Sequence, residues 1–150
     1  MSDPLYRKEL LRLAADAHGA GRLKEPHVTG HAHNPACGDK VTVDLALVHG
    51  RIAQVAHETK ACILAQASAS ILGQALKGAA RSDVEMLHSS LVSMLAARGP
   101  VPALPFDGYA AFDGTIEFPS RHRCVLLPVE AVLAAFDAAE MDDPDTPPAR

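Results

Sequence analysis

Residues 40–60 run Lys40-Val41-Thr42-Val43-Asp44-Leu45-Ala46-Leu47-Val48-His49-Gly50-Arg51-Ile52-Ala53-Gln54-Val55-Ala56-His57-Glu58-Thr59-Lys60. Val41, Val43, Leu45 and Leu47 alternate with Thr42, Asp44 and Ala46, the period-two pattern of a strand with one buried face. His49-Gly50 suits a two-residue hairpin turn, because glycine accepts positive φ. Arg51 to Glu58 then returns as the partner strand, and His27 to His33 supplies a further strand upstream.

Helical signals flank this meander. Asp3-Pro4 pairs an N-cap with proline at the first helical position. Tyr6, Leu10, Leu13, Ala14 and Ala17 share one helical face, so a helix is expected over 4–18, ended by Gly19 and Gly21. Residues 61–77 form a second helix, rich in small side chains (Ala65, Ala67, Ser68, Ala69, Ser70) and closed by Gly78. Ser82-Asp83-Val84-Glu85 has the pattern of a capping box, followed by an apolar stripe at Val84, Leu87, Leu91 and Leu95. Residues 99–119, rich in proline and glycine, are expected to form an irregular loop. A last helix spans about 123–139, with apolar positions Leu126, Val129, Leu133 and Phe136 and with Pro128 near its start. Residues 141–150, with three prolines and three aspartates, are expected to be a disordered tail. The resulting class is α+β: one domain over 1–140, a three-stranded antiparallel sheet packed against several helices in two layers.

Composition narrows the function. At 150 residues, 48% hydrophobic and 21% charged, the chain can bury a core without metal or disulfides. A net charge of −4, no Trp and no basic stripe speak against nucleic acid as partner. The start lacks the apolar core of a signal peptide and no run approaches membrane-spanning length, so no membrane association is expected. Three cysteines do not pair evenly, which argues against a disulfide framework and for a reducing cytoplasmic setting.

Those cysteines carry the chemistry. Cys37 lies in Asn34-Pro35-Ala36-Cys37-Gly38-Asp39, Cys62 where a strand hands over to a helix, and Cys124 at the opening of the last helix. Three thiolates and the Asp39 carboxylate are a full ligand set for tetrahedral zinc or for an iron–sulfur cluster. Cys62 and Cys124 fall near helix N-termini, where free N–H groups and the dipole favour negative charge. Gly38 allows a tight turn from which Cys37 and Asp39 can address one ion. The alternative is that the cysteines are small buried hydrophobes, since no close Cys-x-x-Cys pair announces a metal. His31 and His33 approach Cys37 as further ligand candidates, or else sit on a solvated strand face. His122 leaves the helix start at a different angle from Cys124. Ser68 and Ser70 lack a nucleophile elbow and suit packing. Arg121 and Arg123 are exposed cations or stabilise a thiolate or persulfide at Cys124.

Asn34-Pro35-Ala36-Cys37-Gly38-Asp39, the following hairpin, Ala61-Cys62 with Ala67-Ser68-Ala69-Ser70, and Arg121-His122-Arg123-Cys124-Val125-Leu126-Leu127-Pro128 resemble, in order and spacing, the iron–sulfur cluster assembly family of IscU, the NifU N-terminal domain and SufU. Arg123 stands where IscU-type members have histidine. Arg121 matches the Arg-x-x-Cys of SufU-type members, and the long Pro/Gly-rich interval before Cys124 looks like their insertion. Ala61 in place of glycine, and Leu64-Ala65 in place of a more polar pair, depart from the pattern.

The resemblance implies zinc held by Cys37, Asp39, Cys62 and Cys124, and sulfur accepted from a SufS-like cysteine desulfurase for downstream iron–sulfur assembly proteins. It makes Cys37 the persulfide carrier and Arg121 an aid to docking or anion stabilisation. An IscU-like scaffold building a [2Fe–2S] cluster, from iron at the same ligands, is the alternative. A purely structural zinc module is a third.

Overall fold

In the computed structural model, residues 8–26, 28–36 and 38–142 are described. Residues 1–7, with the expected Asp3-Pro4 helix start, His27, Cys37 and residues 143–150, with most of the expected tail, lie outside them.

The elements follow one another as α1 (Lys8–Asp16), β1 (Val28–Asn34), β2 (Asp39–Val48), β3 (Arg51–Lys60), α2 (Ile63–Ala75), α3 (Arg81–Ala97), two 3₁₀ runs (Asp107–Glu117 and Pro119–Arg121) and α4 (His122–Asp142). The strands form one antiparallel sheet in the order β1-β2-β3. The three-stranded meander and the α+β class expected from the alternation are what the structure has. His49 and Gly50 both adopt positive φ, 53° and 76°, as the tight hairpin between β2 and β3 requires. A register shift at Ala46/Leu47 adds a bulge just before that turn.

Alternation sends Val41, Val43 and Leu45 to the inner face, joined by Val28 and Gly30 of β1 and by Ile52 and His57 of β3. Helix α4 lies across β1 and β2, while α2 packs against α1, α4 and β3. Gly30 is what lets α4 come so close: a Cβ there would lie 2.2 Å from the Ala135 nitrogen and 2.3 Å from the Ala131 oxygen. Pro128 lies inside α4 without ending it.

Helix α2 is buried on nearly all sides, which is why its side chains are small. Ser68 and Ser70 are packing residues. The Ser68 hydroxyl donates to the Val125 carbonyl at 2.7 Å and lies 2.8 Å from the Tyr109 hydroxyl, and Ser70 Oγ accepts from the His18 amide at 3.0 Å.

Three local expectations need correcting. The segment 99–119 is not an irregular loop over its second half. Phe106, Tyr109 and Phe112 recur every third residue, the 3₁₀ period, and all three are buried. Their burial outweighs the weak hydrogen-bond geometry of a 3₁₀ run. The capping box is shifted: α3 starts at Arg81, and Asp83 Oδ2 accepts from the Ala80 amide at 2.9 Å. Ala80 has no side-chain acceptor, so only half the box exists. Helix α4 runs from His122 to Asp142, past the expected end of the last helix at Ala139.

Asp44, on the polar side of the β2 alternation, is nevertheless fully buried. The chain between α1 and β1 folds over the outer sheet face there. Arg22 grips the carboxylate with Nε at 2.7 Å and Nη2 at 3.0 Å, and the Leu23 amide (3.1 Å) and Thr29 hydroxyl (2.6 Å) complete its shell. Burial alone would raise the Asp44 pKa. The bonds from Arg22, Thr29 and Leu23 outweigh it and hold the pKa below 3.8.

Two outcomes are expected. Gly30→Ala lowers stability by about 3 kcal/mol or more, because backbone on α4 must move; urea unfolding checks this. Asp44→Asn costs about 1–3 kcal/mol at pH 7. A depressed folded-state pKa means that the ionised Asp44 contributes fully above its unfolded value of about 3.9 and that the contribution fades as pH falls towards the folded value. The difference in urea midpoint between wild type and Asp44→Asn therefore shrinks below about pH 4; a difference independent of pH contradicts the assignment.

Candidate metal centre

One end of the meander gathers the chemistry-bearing residues. Asp39 opens β2, its Cα paired across the ladder with Asn34 at the end of β1. The connecting turn is braced by Asn34, whose Oδ1 accepts from the Ala36 amide at 3.1 Å and whose carbonyl accepts from the Gly38 amide at 2.8 Å. Gly38 takes φ 76° with open space where a Cβ would be, so backbone conformation and not crowding calls for glycine. Cys37 itself lies outside the described residues.

Cys62 is the N-cap of α2, in extended conformation (φ −66°, ψ 169°), directly after β3 ends at Lys60. Cys124 sits in the first turn of α4 and is 2% exposed. Asp39 is 8% exposed and Cys62 half-buried. One ligand atom from each of Asp39, Cys62 and Cys124 lies within 4.8 Å of the others. The Cys62 amide points at Asp39 Oδ2 (3.4 Å), and the Cys124 thiol lies 3.9 Å from the same oxygen.

The Cys62 thiol is tuned by this setting. A hydrogen bond from Cys124 lowers its pKa first of all. Burial and the Asp39 charge oppose that, the amides of Ala65 and Leu64 at the start of α2 assist it, and the net result is a value of about 7 against an ordinary 9.0. The shift favours the thiolate, the form that binds metal. Two soft sulfurs and one carboxylate oxygen within a few ångströms match the donor set of a thiolate-rich zinc site, with one position left for a fourth ligand.

Among the described residues no histidine joins this cluster. His31 and His33 are exposed on β1, and His31 Nδ1 lies 3.1 Å from Thr42 Oγ1. His122 turns away, its Nε2 3.2 Å from the carbonyls of Thr115 and Ile116. Arg121 is half-buried in the 3₁₀ turn leading into α4, and Arg123 is exposed and pairs with Glu130 at 3.1 Å. Asn34 is the contributor that sequence reasoning passed over; an Asx-type turn is signalled by Asn-Pro directly after a strand.

An antiparallel meander under helices, with thiols and a carboxylate converging where the sheet meets two helix starts, defines an α+β domain built around a thiol–carboxylate cluster. The model of the NifU-like N-terminal domain matches residues 5–105, and the chain belongs to that family. It is 25% identical over 130 residues to the zinc-dependent sulfurtransferase SufU of Bacillus subtilis, covering 87% of this chain and 88% of that protein. It is 28% identical over 128 residues to the iron–sulfur cluster assembly scaffold protein IscU of Thermotoga maritima, covering 82% and 86%. Among solved structures, a nitrogen-fixing NifU-like protein (N-terminal) from Brucella abortus superposes with a TM-score of 0.88 at 31% identity, over 94% of this chain and 98% of that one. Cys124 lies beyond the family match; the fold brings it to Asp39.

In chelator-treated protein, alkylation of Cys62 followed by mass spectrometry is expected to rise with pH around a midpoint near 7. A midpoint near the ordinary 9.0 contradicts the described environment.

Proposed function

We propose that the protein serves iron–sulfur cluster assembly as a SufU-like sulfur carrier, with zinc held by Cys37, Asp39, Cys62 and Cys124. The observation that supports this most is the convergence of Asp39, Cys62 and Cys124 within 4.8 Å at the end of the hairpin whose turn contains Cys37 in sequence. The donor set fits: soft thiols with one hard carboxylate suit a site whose ligands exchange. When bound, zinc keeps the cysteine sulfurs deprotonated.

The remaining chemistry belongs to the chain. Cys37, directly before Gly38 in the sequence, is the sulfur carrier on this reading. Its thiolate attacks the terminal sulfur of a persulfide on a SufS-like cysteine desulfurase. A new S–S bond forms at Cys37, the donor's S–S bond breaks, and the donor cysteine leaves as thiolate. The transferred sulfur keeps its oxidation level, so no oxidant is needed. Asp39, Cys62 and Cys124 remain anchored to β2, α2 and α4. Arg121, one turn before Cys124, offers a guanidinium for docking or for the persulfide anion. Downstream iron–sulfur assembly proteins receive the sulfur.

A second reading is favoured by the similarity to the Thermotoga IscU: the same four residues hold a [2Fe–2S] cluster as cargo, for later delivery. Adding the protein to the desulfurase with cysteine separates the two. Sulfur transfer predicts a several-fold gain in turnover with wild type, none with Cys37→Ala, and stoichiometric zinc without visible absorption in protein purified anaerobically. A labile brown chromophore with no gain in turnover favours the scaffold. Loss of folding on chelation, again with no gain, leaves a structural zinc module.

A further inference from the structure

The outer face of the sheet carries an unexplained charge arrangement at the same end as the cluster. Lys40 and Lys60 are directly opposed across β2 and β3, and His33 opposes Lys40 across β1 and β2. All three are exposed, and among the described residues neither lysine has an ion-pair or hydrogen-bond partner. Like charges directly opposite in a sheet are destabilising, so the fold does not benefit from this pair. The cations nearby on the cluster side are already engaged or half-buried: Arg123 pairs with Glu130, and Arg121 is half-buried. The acid on this face, Glu58, lies 3.6 Å from Arg22, whose charge is already shared with Asp44, so that among Lys40, Lys60, Arg22, Asp44 and Glu58 one excess cation remains. A chain of net charge −4 thus shows an unbalanced cationic patch where its reactive end meets solvent. Each lysine is close in sequence to a cluster residue: Lys40 follows Asp39, and Lys60 precedes Cys62 by two positions. Alternation points the lysines outward while Asp39 points in.

We propose that this face, centred on Lys40 and Lys60 with His33 beside them, docks an acidic surface of the sulfur-donating protein; it rests on the sulfur-transfer reading above. Unpaired rim charges act mainly on encounter rate and orientation, which is what presenting a donor persulfide to the accepting thiolate requires.

Charge reversal tests it. The cysteine desulfurase of the same organism is titrated with wild type, Lys40→Glu, Lys60→Glu and, as a control, Lys77→Glu, an exposed lysine just beyond the end of α2. Lys40→Glu and Lys60→Glu are each expected to raise the half-saturating concentration about tenfold, leaving maximal turnover unchanged. Both should melt at or above the wild-type temperature, since each turns a like-charge pair into an opposite-charge one. Added salt should weaken wild type more than the variants. Half-saturating concentrations unchanged in both variants, or raised equally by Lys77→Glu, overturn the docking face while leaving sulfur transfer intact. If wild type itself does not stimulate the desulfurase, the sulfur-transfer reading and the docking face fall together.

Discussion

The arrangement of this molecule turns on the cost of bringing Asp39, Cys62 and Cys124 together. A carboxylate and two ionisable thiols within 4.8 Å, largely out of water, repel one another when charged and lose hydration. The fold meets that cost from three directions. The β1–β2 turn fixes Asp39, the Cys62 amide faces its carboxylate, and two helices begin at the thiols so that their dipoles favour negative charge. A bound cation is the remaining counter-charge that such a cluster calls for. The packing of α4 on Gly30 and the small side chains of α2 then become requirements, because each sets how near Cys124 and Cys62 can come to the sheet.

Much of this was legible in the sequence, and the exceptions have physical causes. The strands announced themselves because Val41, Val43 and Leu45 face a core while their neighbours do not. The His49-Gly50 turn was legible because so few residues accept two positive φ angles in succession. The 3₁₀ run was not: prolines and glycines mask an aromatic period of three, a spacing seldom sustained for long enough to be recognised. Asp44 was misleading for a different reason. A buried carboxylate needs its partners, and Arg22 and Leu23 reach it from a connection between elements that no periodicity describes. The cluster was legible as a set of residue types, but its closeness was not, because Cys124 reaches Asp39 only through the docking of α4.

On the proposed sulfur-carrier reading, function divides between two surfaces of one sheet end. The inner side holds the thiol–carboxylate cluster under helices α2 and α4, recessed and tuned for thiolate. The outer side presents opposed lysines that serve no partner within the described chain. A carrier of a reactive sulfur needs both, a protected place for the thiolates and a recognisable face beside them. Membership of the NifU-like N-terminal domain family and the relatives in cluster assembly fit that division of labour.

Zinc X-ray absorption on the purified protein addresses the central claim most directly, because it counts ligands and measures their distances without reference to activity. The account predicts about three sulfur neighbours near 2.3 Å and one oxygen near 2.0–2.2 Å, with the oxygen contribution lost or replaced in Asp39→Ala. A first shell of nitrogen and oxygen alone, or a spectrum unchanged when Cys62 or Cys124 is replaced by alanine, would contradict it.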